Sequence, residues 1–169
     1  MSTNIVILII LAIAVGTDLW ARKIPNVLTV PAAVGGLVFH LATTGLPGLK
    51  SSALGLSVGL GVLLVPYMLG GMGGGDVKLL AGLGAWLGPK NILIATVYSG
   101  LAGGVLALGM IVASGGKGAN FMKTIYEDLV CFITFRGRYP LASRDKPHMP
   151  YSLAIAAGTL GFVIWGSPL

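Results

Sequence analysis

The chain has 169 residues, of which 55% are hydrophobic and only 9% charged, with a mean hydropathy of +0.91. A soluble domain carries about a quarter charged residues, so this sequence cannot cover a water-facing surface and reads as an integral membrane protein. Its formal charge of +6 does not indicate nucleic acid, because Lys and Arg fall in gaps between apolar runs without interleaved aromatics.

The first apolar run, NIVILIILAIAVG, has no Lys or Arg before it, while Arg22 and Lys23 follow it. A secretory signal has the opposite charge order, so the run is read as a retained first transmembrane helix, about Asn4 to Trp20, with its N-terminus outside. Ile24-Pro25-Asn26 makes the turn into a second segment, about Val27 to Thr44, since the residue before a proline is pushed out of helix. Pro31 is tolerable in the first turns of that segment. A third segment covers about Ser52 to Leu69.

The stretch GGMGGGDVKLL, residues 70–80, then sets a carboxylate directly after the most flexible backbone in the chain. A fourth segment starts at Asp76 and ends near Leu87. At about 1.5 Å per residue it is too short to cross a hydrocarbon core of about 30 Å. The fifth segment runs from about Asn91 to Ala113 and the sixth from about Met149 to Trp165. Between them, at about 114–148, Phe121, Ile125, Leu129, Phe132 and Ile133 recur at helical spacing among charged residues. That pattern suits an amphipathic helix lying on the cytoplasmic membrane surface. The expected architecture is an all-α, polytopic membrane helix bundle of about six segments with a short fourth one, forming a single domain over 1–169.

With the N-terminus outside, the inner loops and flanks hold Arg22, Lys23, Lys78, Lys117, Lys123, Arg136, Arg138, Arg144 and Lys146, leaving Lys50 and Lys90 for the outer side. This positive-inside bias supports the orientation. It also puts Asp18 and Asp76 at the same, cytoplasmic, face. These are the two acids attached to apolar segments; Glu127, Asp128 and Asp145 sit in the polar loop. Each has an ordinary structural reading: Asp18 stands four positions before Arg22 and could pair with it, and Asp76 could be the N-cap of its helix. Two carboxylates brought close, however, cannot both ionise easily, and such a pair can activate water while polarising a peptide carbonyl. That is aspartyl protease chemistry, and it requires no cofactor.

Other residues rate lower. Lys78 could contact substrate or Asp76, or anchor the helix at the headgroups; Arg22 could orient Asp18 or serve as an anchor. His40 and His148 have no partner at metal-ligand spacing, and no metal is expected. Trp20, Trp86 and Trp165 near segment ends suggest an interfacial belt. Cys131 stands alone, so no intrachain disulfide or Cys-rich zinc site is possible.

Three blocks taken together, DLWARKIPN (18–26), GMGGGDVKLLAGLGAWLG (71–88) and MPYSLAIAAG (149–158), resemble the prepilin peptidase family, the bacterial type IV leader peptidases with a GxGD motif. The resemblance implies Asp18 and Asp76 as the catalytic pair and Gly73 and Gly75 as the motif glycines. Lys78, Arg22, Pro25 and Asn26 are candidates for substrate-binding or supporting roles. It further implies cleavage of prepilin or pseudopilin leader peptides at the cytoplasmic face of the bacterial inner membrane, alongside the pilus assembly or secretion machinery. Longer members carry an N-terminal domain with paired CxxC motifs, linked to methylation. Here the first helix begins at once, so the chain looks like the short form associated with Flp (tight adherence) pili, without methyltransferase activity. Ser152 stands where the family's Pro-Tyr-Gly block has Gly. Alternatives are a GxGD peptidase for other membrane substrates, such as preflagellins, and a non-enzymatic ion or proton carrier using the same two acids.

Overall fold

The computed structural model describes residues 2–21, 23–68, 72–113 and 151–166. Regular structure among them is entirely helical: α1 (Ser2–Ala21), α2 (Asn26–Met68), α3 (Gly74–Ala113) and α4 (Tyr151–Trp165). Stretches of α1, α2 and α3 are long and apolar enough to cross a membrane. The amphipathic helix expected at about 114–148 lies outside the described residues, as does Arg22.

A continuous helix of 43 residues, the extent of α2, would be about 65 Å long, twice the hydrocarbon thickness of about 30 Å. The chain avoids this with a single non-helical residue, Gly45 (φ 68°, ψ −151°). Gly88 (φ 77°, ψ 172°) interrupts α3 in the same way. Both breaks pair a positive-φ glycine, which stops a helix without steric penalty, with a proline just beyond it (Pro47 and Pro89). Where the sequence suggested loops at 45–51 and 88–90, the structure has one-residue breaks in otherwise helical backbone.

The contacts of residues 74–88 show what these breaks achieve. A Cβ on Gly82 would meet Ala32 and Thr29, one on Gly36 would meet Ala85, and His40 Nε2 lies 3.1 Å from the Trp86 carbonyl. Contacts with residues 26–44 thus advance in the same direction along both segments. Contacts with residues 46–68 advance in opposite directions: Ser52 Oγ donates to the Ala85 carbonyl at 2.6 Å, Gly55 meets Gly84, and Gly59 meets Leu80. The two halves of α2 are therefore antiparallel arms that clasp the helix 74–88 between them. That helix is buried nearly all round, with Leu79, Leu80, Leu83 and Ala85 at 1% exposure or less.

Beyond Gly88 the chain returns. Gly158 packs on the Ser99 backbone and Gly103 faces Ala154, so α4 runs antiparallel to residues 89–113. Asp18, Ile24, Tyr67, Gly74 and the start of α4 consequently gather at one end of the bundle, with Lys50 and Lys90 at the other. Trp86 departs from the expected interfacial belt. It is 9% exposed, donates from Nε1 to the Ala32 carbonyl at 2.7 Å and packs on Phe39. Trp20, 93% exposed, does face outward.

Apolar side chains gain little by leaving lipid for a protein interior, so this packing rests on close backbone approach. A Cβ on Gly55 would stand 2.1 Å from the Gly84 carbonyl oxygen, whereas one on Gly61 meets nothing within 4 Å. Gly55→Ala is expected to destabilise the protein by about 1–3 kcal/mol, and Gly61→Ala to leave stability unchanged or slightly raised, as thermal unfolding in detergent would show.

Candidate active site

Asp18 lies in the last turn of α1, and after Ala21 the chain leaves the helix. Residues 23–25 are non-helical, and the Pro25 carbonyl accepts from the Leu28 N–H at 3.0 Å, which starts α2. Proline at this point fixes φ, and its carbonyl begins the helical ladder. The Ile24-Pro25-Asn26 turn is thus a rigid corner between two helices, at the level of Asp18.

On the other side, α3 starts at Gly74, two residues earlier than the sequence suggested, so Asp76 is not the N-cap. It is the third helical residue, and its N–H donates to the Gly73 carbonyl at 3.2 Å. An acidic side chain suits this first turn, where unpaired N–H groups give the helix its positive end. Asp76 is 9% exposed and Asp18 is half-buried.

The motif glycines have separate tasks. An Asp76 carboxylate oxygen lies 3.2 Å from where a Cβ on Gly73 would stand, so Gly73 leaves space for the acid itself. A Cβ on Gly75 would be 3.0 Å from Ile24 Cβ and 3.4 Å from its backbone nitrogen. Gly75 therefore lets the first turn of α3 press directly against the Ile24-Pro25-Asn26 corner. Two positions after Asp76, Lys78 Nζ donates to Asn26 Oδ1 at 2.9 Å, a second tie between the same two segments. Lys78 is exposed, as a headgroup anchor would be, yet its hydrogen bond is to the corner.

Through these contacts Asp18 and Asp76, 58 positions apart in the chain, come close enough for their charges to act on each other. Among the described residues they are the only carboxylates. Two residues of the third sequence block join them. Tyr151 lies within the field of Asp76, and the Ser152 hydroxyl donates to Asp18 Oδ2. The sequence placed Ser152 near this end of the last helix without giving it or Tyr151 a role. The i, i+4 pairing of Asp18 with Arg22 falls outside the described residues. No group of three or more His, Cys, Asp or Glu that could hold a metal occurs among the described residues.

Residues 5–108 match the family model described as the type IV leader peptidase family. The chain is 39% identical over 102 residues to a prepilin leader peptidase/N-methyltransferase of Aeromonas salmonicida, covering 56% of this chain and 35% of that protein. A protein of the same description from Xanthomonas campestris pv. campestris is 39% identical over 107 residues, covering 59% and 37%. One from Burkholderia pseudomallei is 34% identical over 162 residues, covering 89% of this chain and 42% of the relative. The chain thus spans well under half the length of these relatives. No solved structure matches it.

The two glycines should respond differently to substitution. Gly75→Val drives a branched side chain into the proline-fixed corner and is expected to lower stability by about 1–3 kcal/mol. Gly73→Ala meets only the movable end of Asp76 and should shift stability by no more than about 0.5 kcal/mol. Unfolding midpoints of the two variants in detergent check this contrast.

Proposed function

The chain belongs to the type IV leader peptidase family, and from that premise we propose that it is a membrane aspartyl endopeptidase removing leader peptides from Flp-like type IV prepilins. The observation that carries this reading is the common location of Asp18 and Asp76. They stand on separate helices, at the same end of the bundle, within range of one another's charge.

The chemistry follows from proton sharing. Hydrolysis by an acid pair needs one carboxyl protonated, to act as the acid, and one ionised, to act as the base. The ionised acid takes a proton from a water molecule as the water oxygen adds to the scissile carbonyl carbon. The protonated acid delivers its proton to the carbonyl oxygen. The tetrahedral diol then collapses: the C–N bond breaks, the first acid returns its proton to the leaving amine, and the second recovers a proton from the diol hydroxyl. Both acids end as they began. Gly73, exposed beside Asp76, gives an extended peptide backbone access that a side chain would obstruct.

The membrane side follows from charge. Lys23 and Lys78 stand at the end that carries the acids, and Lys50 and Lys90 at the other. Together with the Lys and Arg of 114–148 this favours a cytoplasmic site with the N-terminus outside, in the inner membrane. A prepilin would lay its own apolar helix beside these helices and present its leader junction at the inner rim.

Co-expression with an Flp-like prepilin tests this reading. Wild type should shorten the substrate, while Asp18→Asn and Asp76→Asn should each slow cleavage by at least about a hundredfold. Full processing by either variant would remove the paired-acid mechanism. Cleavage of a preflagellin-like substrate with the prepilin left intact would redirect the specificity.

A further inference from the structure

Six Ser and Thr hydroxyls among the described residues close back on their own helix. Thr17, Thr43, Thr44, Ser57, Thr96 and Ser99 each donate to the carbonyl four residues earlier, at 2.7–2.9 Å. Ser152 is different. It is the second residue of α4, so the carbonyl four positions earlier precedes the helix. It is fully buried, and its Oγ crosses to α1 and donates to Asp18 Oδ2.

Asp18 needs such a tie. Its helix carries one acid of the pair but has few contacts with α2 and α3, and its main neighbour is α4. Asp76 is buried in the first turn of a helix clasped by both arms of α2, whereas Asp18 is half-buried in the last turn of α1. A half-buried carboxylate with no fixed partner can adopt several side-chain rotamers, and only some would turn an oxygen toward the Asp76 side. A hydrogen bond donated to one carboxylate oxygen sets the plane of the group and leaves the other oxygen for the water. Orientation established before substrate arrives need not be found again at each turnover, and a misplacement of about 1 Å can lower a rate about a hundredfold.

We propose that Ser152 is a positioning residue for the acid pair, its hydroxyl holding Asp18 in the orientation that serves the water opposite Asp76. The inference rests on the peptidase reading and adds to it a residue outside the pair. Among the described residues, the charged and titratable neighbours at this end are Asp76 and Lys78 on α3, Tyr67 on α2, Tyr151 on α4 and Lys23 after α1, and none of them hydrogen-bonds Asp18.

The test combines kinetics and unfolding on the full chain in detergent, using a purified Flp-like prepilin. Ser152→Ala removes the donor with almost no change in volume. It should lower kcat at least about tenfold and leave KM within about twofold, because orientation of Asp18 matters to the chemical step and not to docking. Ser152→Cys, a weak donor of similar size, should fall between the two. Wild-type kcat in Ser152→Ala, or a raised KM at unchanged kcat, would overturn the proposal. Unfolding midpoints of wild type, Ser152→Ala, Asp18→Ala and the double variant read the contact without activity. The shifts should be non-additive, and additive shifts would overturn it as well. If wild type cleaves no prepilin although the shifts are non-additive, the peptidase reading fails and takes the kinetic role with it, while the contact stands.

Discussion

Close backbone packing around the helix 74–88 is the constraint on which the remainder of this bundle depends. In lipid an apolar side chain gains little by turning inward, so helices associate through tight van der Waals contact and a few polar ties. Here the contacts are made where side chains are smallest: Gly36 on Ala85, Gly55 on Gly84, Gly59 on Leu80. Polar ties from Ser52 to Ala85 and from Trp86 to Ala32 lock the two arms of α2 to the same turn of the short helix. Because both arms grip it, the helix cannot slide without breaking contacts on two sides. The depth of Asp76, in its first turn, is set by that grip.

The acid site is then assembled outward from Asp76. Gly75 lets α3 abut Ile24, Lys78 reaches Asn26, and Pro25 fixes the corner that follows α1. Asp18 is carried to the same end by a helix with far fewer neighbours, and Ser152 links it to α4. One acid is thus held by a rigid frame and the other by a local hydrogen bond.

Much of this was legible in the sequence. The apolar runs identified a helical membrane protein, and the prolines and glycines marked the turning points. The two acids stood out because nothing else in the apolar segments carries negative charge. The order DLWARKIPN, GMGGGDVKLL, MPYS tied them to one family, which the match over residues 5–108 bears out. What stayed hidden depends on partners distant in sequence. That Gly45 and Gly88 each turn the chain in one residue needs positive φ, which composition does not display. Trp86 looked interfacial because it is near a segment end, but the segment itself is enclosed, so its ring packs inside. Asp76 looked like an N-cap because a glycine run precedes it, yet the last two of those glycines are already helical. Ser152 stood out only as a departure from the Pro-Tyr-Gly block; its hydrogen bond depends on Asp18, 134 positions away.

The central claim is that Asp18 and Asp76 share one site, and cysteine cross-linking in native membranes tests it most directly. In a Cys131→Ser background, Asp18→Cys and Asp76→Cys together should be joined by a short bifunctional thiosulfonate reagent, with the intramolecular link identified by mass spectrometry. Asp18→Cys combined with Lys50→Cys, at the opposite end of the bundle, should not be joined. Efficient linkage of the first pair alone is the predicted result. Absence of a link between positions 18 and 76, or equal linkage of both pairs, would contradict the account.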